Sequence, residues 1–140
     1  MRPFRTQPAP LPLSPPATCA ECAFDALTVA AALMVQAQGG TASMRMQILV
    51  CARDPGFVCA PPRQDILPAV DACLRRLPGD PAWRRGVLAR AMMHLVGNPL
   101  ASLVHQAAAR IGTASGPLTA AGRAALHDIG AALGLSETPA

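Results

Sequence analysis

Two stretches of this chain spell the same turn-to-helix transition, and that echo constrains the fold more than any other feature. The later stretch reads Ala114-Ser-Gly-Pro-Leu-Thr-Ala-Ala-Gly-Arg-Ala-Ala-Leu-His-Asp-Ile-Gly-Ala-Ala-Leu-Gly-Leu135, and the earlier Ala37-Gln-Gly-Gly-Thr-Ala-Ser-Met-Arg-Met-Gln-Ile-Leu49. Aligned on their glycines, Gly39 pairs with Gly116, Ala42 with Thr119, Arg45 with Gly122 and Leu49 with Leu126. Each copy runs from small turn residues into apolar residues at helical spacing. The chain therefore reads as an internal pseudo-repeat of helical units.

At 140 residues the chain is expected to form one domain with its own core. Half of it is apolar and only 3% aromatic, with one Trp, three Phe and no Tyr. Such small aliphatic side chains favour closely packed helices. The net charge is +4, and all twelve cationic side chains are Arg. A chain without Lys or Tyr reads as the product of GC-rich coding, so its arginine content is not evidence for arginine-specific recognition.

Five cysteines at irregular spacing make no disulfide framework, and a reducing cytosol suits them best. The apolar run from Ala26 to Val35 is too short to span a bilayer. It also lacks the basic leader of a signal peptide directly before it, although Val35-Gln36-Ala37 resembles a cleavage site. The expectation is a cytoplasmic protein, at most peripheral at a membrane and not transmembrane.

Residues 1–17 are rich in proline and read as a flexible, polyproline-like arm, of the kind that docks on aromatic grooves and so one of two candidate partner-binding elements. Residues 18–136 form the helical domain, and residues 137–140 a tail. Within the domain, Thr18 opens an apolar helix over Ala20–Gln38, buried nearly all round. A second helix covers Ala42–Arg53 and stops at Asp54-Pro55-Gly56. A third reaches Leu77, with Ile66, Val70, Cys73, Leu74 and Leu77 at helical spacing and Pro68 limiting or kinking its start. Asp80-Pro81 opens a helix through Val96, and Asn98-Pro99 opens another to Gly112. Thr119 caps the last, which buries Leu126, Ile129 and Leu133 and stops at Gly134. No strand is expected: the fold class is an all-α bundle of five or six helices.

The segment Ala114-Ser-Gly-Pro-Leu-Thr-Ala-Ala-Gly, with Ala132-Leu-Gly-Leu-Ser following, resembles the tellurite-resistance TerB-like family of helical domains. That resemblance implies a bacterial stress-response module that works by binding other proteins. It also implies acidic, metal-associated positions in the turn and on the first helical turn. Here those positions hold Gln38 and Arg45 in one copy and Ser115 and Gly122 in the other. Calcium or magnesium needs several hard oxygen ligands, so no metal is expected at these four residues and no cofactor elsewhere. The same changes remove the glutamate half of a capping box, so Thr119 is expected to cap alone.

Three constellations remain. Cys19-Ala-Glu-Cys22 places two thiols on one face at a helix start, where thiolate is favoured. This alternative thiol site would suit a soft metal, a tellurium oxyanion or redox sensing, against the plainer reading of small packed side chains. His94, His105 and His127 fall on three predicted helices but lack accompanying carboxylates. Arg75, Arg76, Arg84 and Arg85, extended by Arg90, bracket Trp83 and form the candidate partner-binding rim. An acidic protein face or anionic lipid headgroups would suit it. Nucleic acid ranks lower because the stacking aromatics of single-strand binders are missing. No nucleophile motif or phosphate loop stands out, which leaves a non-enzymatic interaction module as the leading expectation.

Overall fold

The computed structural model describes residues 18–57, 60–77 and 80–135. The arm over residues 1–17 and the tail over residues 137–140 lie outside the described residues. Six α-helices follow one another: α1 Thr18–Gln38, α2 Ala42–Ala52, α3 Arg63–Arg76, α4 Pro81–Met92, α5 Leu100–Gly112 and α6 Ala120–Ala132. A 3₁₀ turn at Met93–Leu95 links α4 to α5, and no strand occurs among the described residues. The protein is an all-α bundle.

The bundle is organised around α1, which packs against each of the other five helices. Its sequence explains why. Ala23, Ala26, Ala30, Ala31 and Ala32 are buried on several sides of the helix, where their small side chains let neighbouring backbones approach closely, while Leu27 and Met34 fill the larger gaps. Around α1 the outer helices touch in the order α3, α2, α5, α6, α4. Helices α3 and α4 make at most marginal contact with each other, so the ring is loosest between them. The remaining core comes from one stripe per helix: Met44 and Ile48 of α2, Ile66 and Val70 of α3, Leu88 and Met92 of α4, Val104 and Ile111 of α5, and Ile129 of α6 with Leu133 at its C-cap. Truncating one of these to Ala costs about 2–5 kcal/mol, depending on how far the cavity collapses.

Most helix starts obey their capping residues. Thr41 Oγ1 accepts from the Met44 amide at 3.2 Å, and Thr119 Oγ1 accepts from the Gly122 amide at 2.9 Å. Asp80 Oδ1 accepts from the Ala82 amide at 2.9 Å with Pro81 at the first helical position. The caps correct the register of the repeat. Because Thr41, not Ala42, is the counterpart of Thr119, Met44 and not Arg45 stands opposite Gly122.

Helix ends also depart from expectation. Helix α4 stops at Met92 rather than Val96, because Gly97 at φ +81° turns the chain toward α5 and the last residues tighten into the 3₁₀ turn. Pro68 lies inside α3 rather than bounding it, on an exposed face that leaves the buried Ile66 and Val70 stripe intact. Gly134, at φ +75°, ends α6 as expected: its amide bonds to Ala131 O and that of Leu135 to Gly130 O, both at 3.0 Å, the paired bonds of a Schellman stop.

Candidate functional site

The two turns that introduce α2 and α6 lie side by side at one end of the bundle, and Gln38 ties them together. Its Oε1 accepts from the Thr119 amide at 2.8 Å and from the Thr119 hydroxyl at 2.6 Å. Its Nε2 donates to Gly112 O at 3.0 Å and, at the limit of a hydrogen bond, to Pro117 O at 3.5 Å. Next to it the hydroxyls of Thr41 and Ser115 share a short hydrogen bond. Thr119 therefore does not cap alone. In a capping box the third helical residue accepts from the N-cap amide; that residue here is Gly122, and Gln38 of α1 accepts in its place.

The lack of a side chain at Gly122 is what makes room. A Cβ built there would lie 2.0 Å from Gln38 Oε1. Of the four positions at which the family resemblance places acidic residues, Gln38, Ser115 and Gly122 thus meet in one junction whose polar groups are directed at one another. Arg45 lies apart. Its guanidinium grips Asp71 of α3 through both oxygens, at 3.0 and 3.1 Å. That fork holds the Asp71 carboxyl below its ordinary pKa, chiefly by hydrogen bonding, with the nearby charge of Arg75 adding to it. No group of three or more His, Cys, Asp or Glu side chains is placed to hold a metal ion among the described residues.

A concave surface lies elsewhere, a groove of about 210 Å³ between α1, α4 and α6. Leu33 and Ala37 of α1, Leu88 of α4, and Ala121, Ala124 and Ala125 of α6 make its apolar floor. Arg84 and Arg85 stand on the α4 wall and Asp128 on the α6 wall. Arg84 is held in place, since its Nη1 donates to Gln36 Oε1 at 2.9 Å.

The structure divides the arginine-rich segment accordingly. Arg84 and Arg85 line the groove, whereas Arg75 and Arg76 are exposed on the last turn of α3 and Arg90 is exposed toward the end of α4. Trp83 occupies the α4 turn beside Arg84, and its side chain lies outside the described residues. Cys19 and Cys22 fall in the first turns of α1, their side chains likewise outside the description.

Among the other cysteines, Cys51 is buried and its thiol faces Ala107 O at a long 4.0 Å. Burial pushes the Cys73 thiol up, partly offset by the charge of Arg76. His94 and His127 are exposed, while His105 packs against Gly130, so the three histidines form no cluster. Among the described residues no helix is long and apolar enough to cross a membrane.

Sequence reasoning missed the α6 wall of the groove. Its signal was present: Ala121, Ala124, Ala125 and Asp128 recur at the spacing of one helical face, distinct from the core stripe of Ile129 and Leu133. No family model matches this chain, and neither a curated protein nor a solved structure matches it.

Proposed function

We propose that this chain is a TerB-like helical interaction module that binds the acidic face of a protein partner at the groove between α1, α4 and α6. The groove carries the reading. Its floor is apolar, its α4 wall presents Arg84 and Arg85, and one of these two guanidinium groups is already oriented by Gln36. Guanidinium forks match carboxylates in geometry as well as charge. The lining holds a single carboxylate and no His, Ser or Cys, a composition suited to binding rather than to nucleophilic or paired acid–base chemistry.

The family resemblance adds a cytoplasmic stress-response or membrane-associated assembly as the setting, and it rests on the two turn sequences. Partner capture from the native cell tests the proposal. The wild-type chain should retain a protein that salt releases, and the Arg84→Glu, Arg85→Glu double variant should lose it. Melting temperature should hardly change, because exposed charges contribute about 0–1 kcal/mol each to folding. Retention of the same protein by the double variant would move the interface off this groove.

A further inference from the structure

We infer that the occupant of the groove is an amphipathic α-helix of the partner, laid along the alanine stripe of α6 with its acidic flank toward α4. The inference rests on reading the groove as the partner surface and specifies what enters it. Three observations lead to it.

The first is the lining of α6. Ala121, Ala124, Ala125 and Asp128 stand at i, i+3, i+4 and i+7, on a face separate from the buried Ile129 and Leu133. The first two alanines are exposed and the third half-buried. A stripe of methyl groups at this spacing lets a second helix approach at the short end of the usual ~8–10 Å between packed axes.

The second is size. A volume of about 210 Å³ is below the roughly 300–1,000 Å³ of sites for drug-sized ligands. Such a space suits part of a larger partner, such as one side chain, better than a whole small molecule. A helix lying over the groove would set a single anchor residue between Leu33 and Leu88 and keep the rest of its apolar face on the alanines.

The third is charge. Arg85 and Asp128 have no ion-pair partner among the described residues, although both face the same groove. The α4 wall attracts carboxylates, and Asp128 on the α6 wall repels them. An entering helix is therefore oriented: acidic on the flank beside Arg84 and Arg85, neutral or basic on the flank beside Asp128.

The test uses the full chain and a fluorescein-labelled synthetic peptide with Leu at helical spacing, Glu on one flank and Gln on the other, together with a twin carrying Lys in place of Glu. The acidic peptide should bind in a salt-sensitive way and shift the methyl resonances of Leu33 and Leu88, and the Lys twin should do neither. Ala124→Leu should weaken binding by about tenfold or more by filling the groove, whereas Ser102→Leu, exposed on α5 outside the groove, should leave it unchanged. The methyl shifts in the wild-type chain decide the matter even if the Ala124→Leu variant folds poorly.

Equal binding of the Lys twin overturns the inference, as does undiminished binding by a folded Ala124→Leu variant. If that variant binds normally while Arg84→Glu, Arg85→Glu does not, the arginine wall survives as the partner surface and only the helix in the groove is lost. Methyl shifts produced by octanoate but not by the peptide assign a small carboxylate instead. A dimer abolished by Ala124→Leu assigns a second copy of the chain, and either result overturns the inference.

Discussion

The backbone amide of Thr119 donates to Gln38 Oε1 at 2.8 Å, so the start of α6 is completed by the last residue of α1. One carboxamide thereby couples the central helix to the turn that orients the groove-forming α6. Replacing Gln38 with Ala removes its bonds to Thr119 and to Gly112 O. At about 0.5–1.5 kcal/mol for each of these three bonds, the loss should be roughly 1.5–4.5 kcal/mol and several degrees of melting temperature. Thermal melts followed by circular dichroism measure it. A change under about 0.5 kcal/mol, the usual scale of surface substitutions, would remove Gln38 from its structural role.

Gly122 gives a sign test of the same relationship. In an ordinary helix Gly→Ala gains up to about 1 kcal/mol. Here a Cβ at 122 would displace Gln38 Oε1 from Thr119, so Gly122→Ala should destabilise the wild-type chain and stabilise the Gln38→Ala variant. Gly122→Glu in the Gln38→Ala background should also recover stability, since a glutamate three residues after Thr119 restores the missing half of a capping box. Additive effects across the two sites would show that the groups do not interact.

The junction bears on metal binding as well. Gln38 uses both ends of its carboxamide on Thr119 and on backbone carbonyls, and the register set by the caps puts Met44 and Gly122, neither with an oxygen ligand in its side chain, on the first helical turns. Calcium or magnesium at millimolar concentration should therefore leave the melting temperature unchanged. A clear rise, the signature of a ligand that binds only the folded state, would contradict this.

The ion pair between Arg45 and Asp71 predicts a modest pH dependence. Hydrogen bonding from Arg45 lowers the folded-state pKa of Asp71 below its ordinary value of 3.8. A depressed carboxyl pKa stabilises the fold above the unfolded value, and that contribution disappears as pH falls through the folded value. Both side chains are more than a third exposed, so the pair should contribute only about 0.2–1 kcal/mol. Asp71→Asn should be less stable than wild type near neutral pH, with the gap closing in acid and in high salt. A gap that persists below the folded-state pKa would assign the effect to packing.

How much was legible in the sequence follows from the range of each interaction. Helix starts at Asp80 and Thr119 are decided by side chains within three residues of the amides they cap, and each left a local signature, whereas aligning the repeats on their glycines hides the equally local cap at Thr41. The buried character of α1 was equally visible in its alanine-rich, all-round apolar pattern. Gln38 was not legible, because its partners lie 74 to 81 residues away and only the packing of α1 on α5 and α6 brings them within reach. The groove was half legible. Arg84 and Arg85 stood out as a charged run, but nothing local showed that an alanine stripe from α6 would face them while Arg75 and Arg76 stayed on α3.

Site-specific photocrosslinking in the native cell tests the central claim, that the groove between α1, α4 and α6 is the partner surface. A photoreactive amino acid at position 128, on the α6 wall rather than the alanine floor, should give a discrete protein adduct. The same label at position 102, exposed on α5 away from the groove, should give none. The position-128 adduct should vanish when Arg84 and Arg85 are changed to Glu. Adducts of equal yield from both positions, or an adduct at 128 that survives the double charge reversal, would contradict the account.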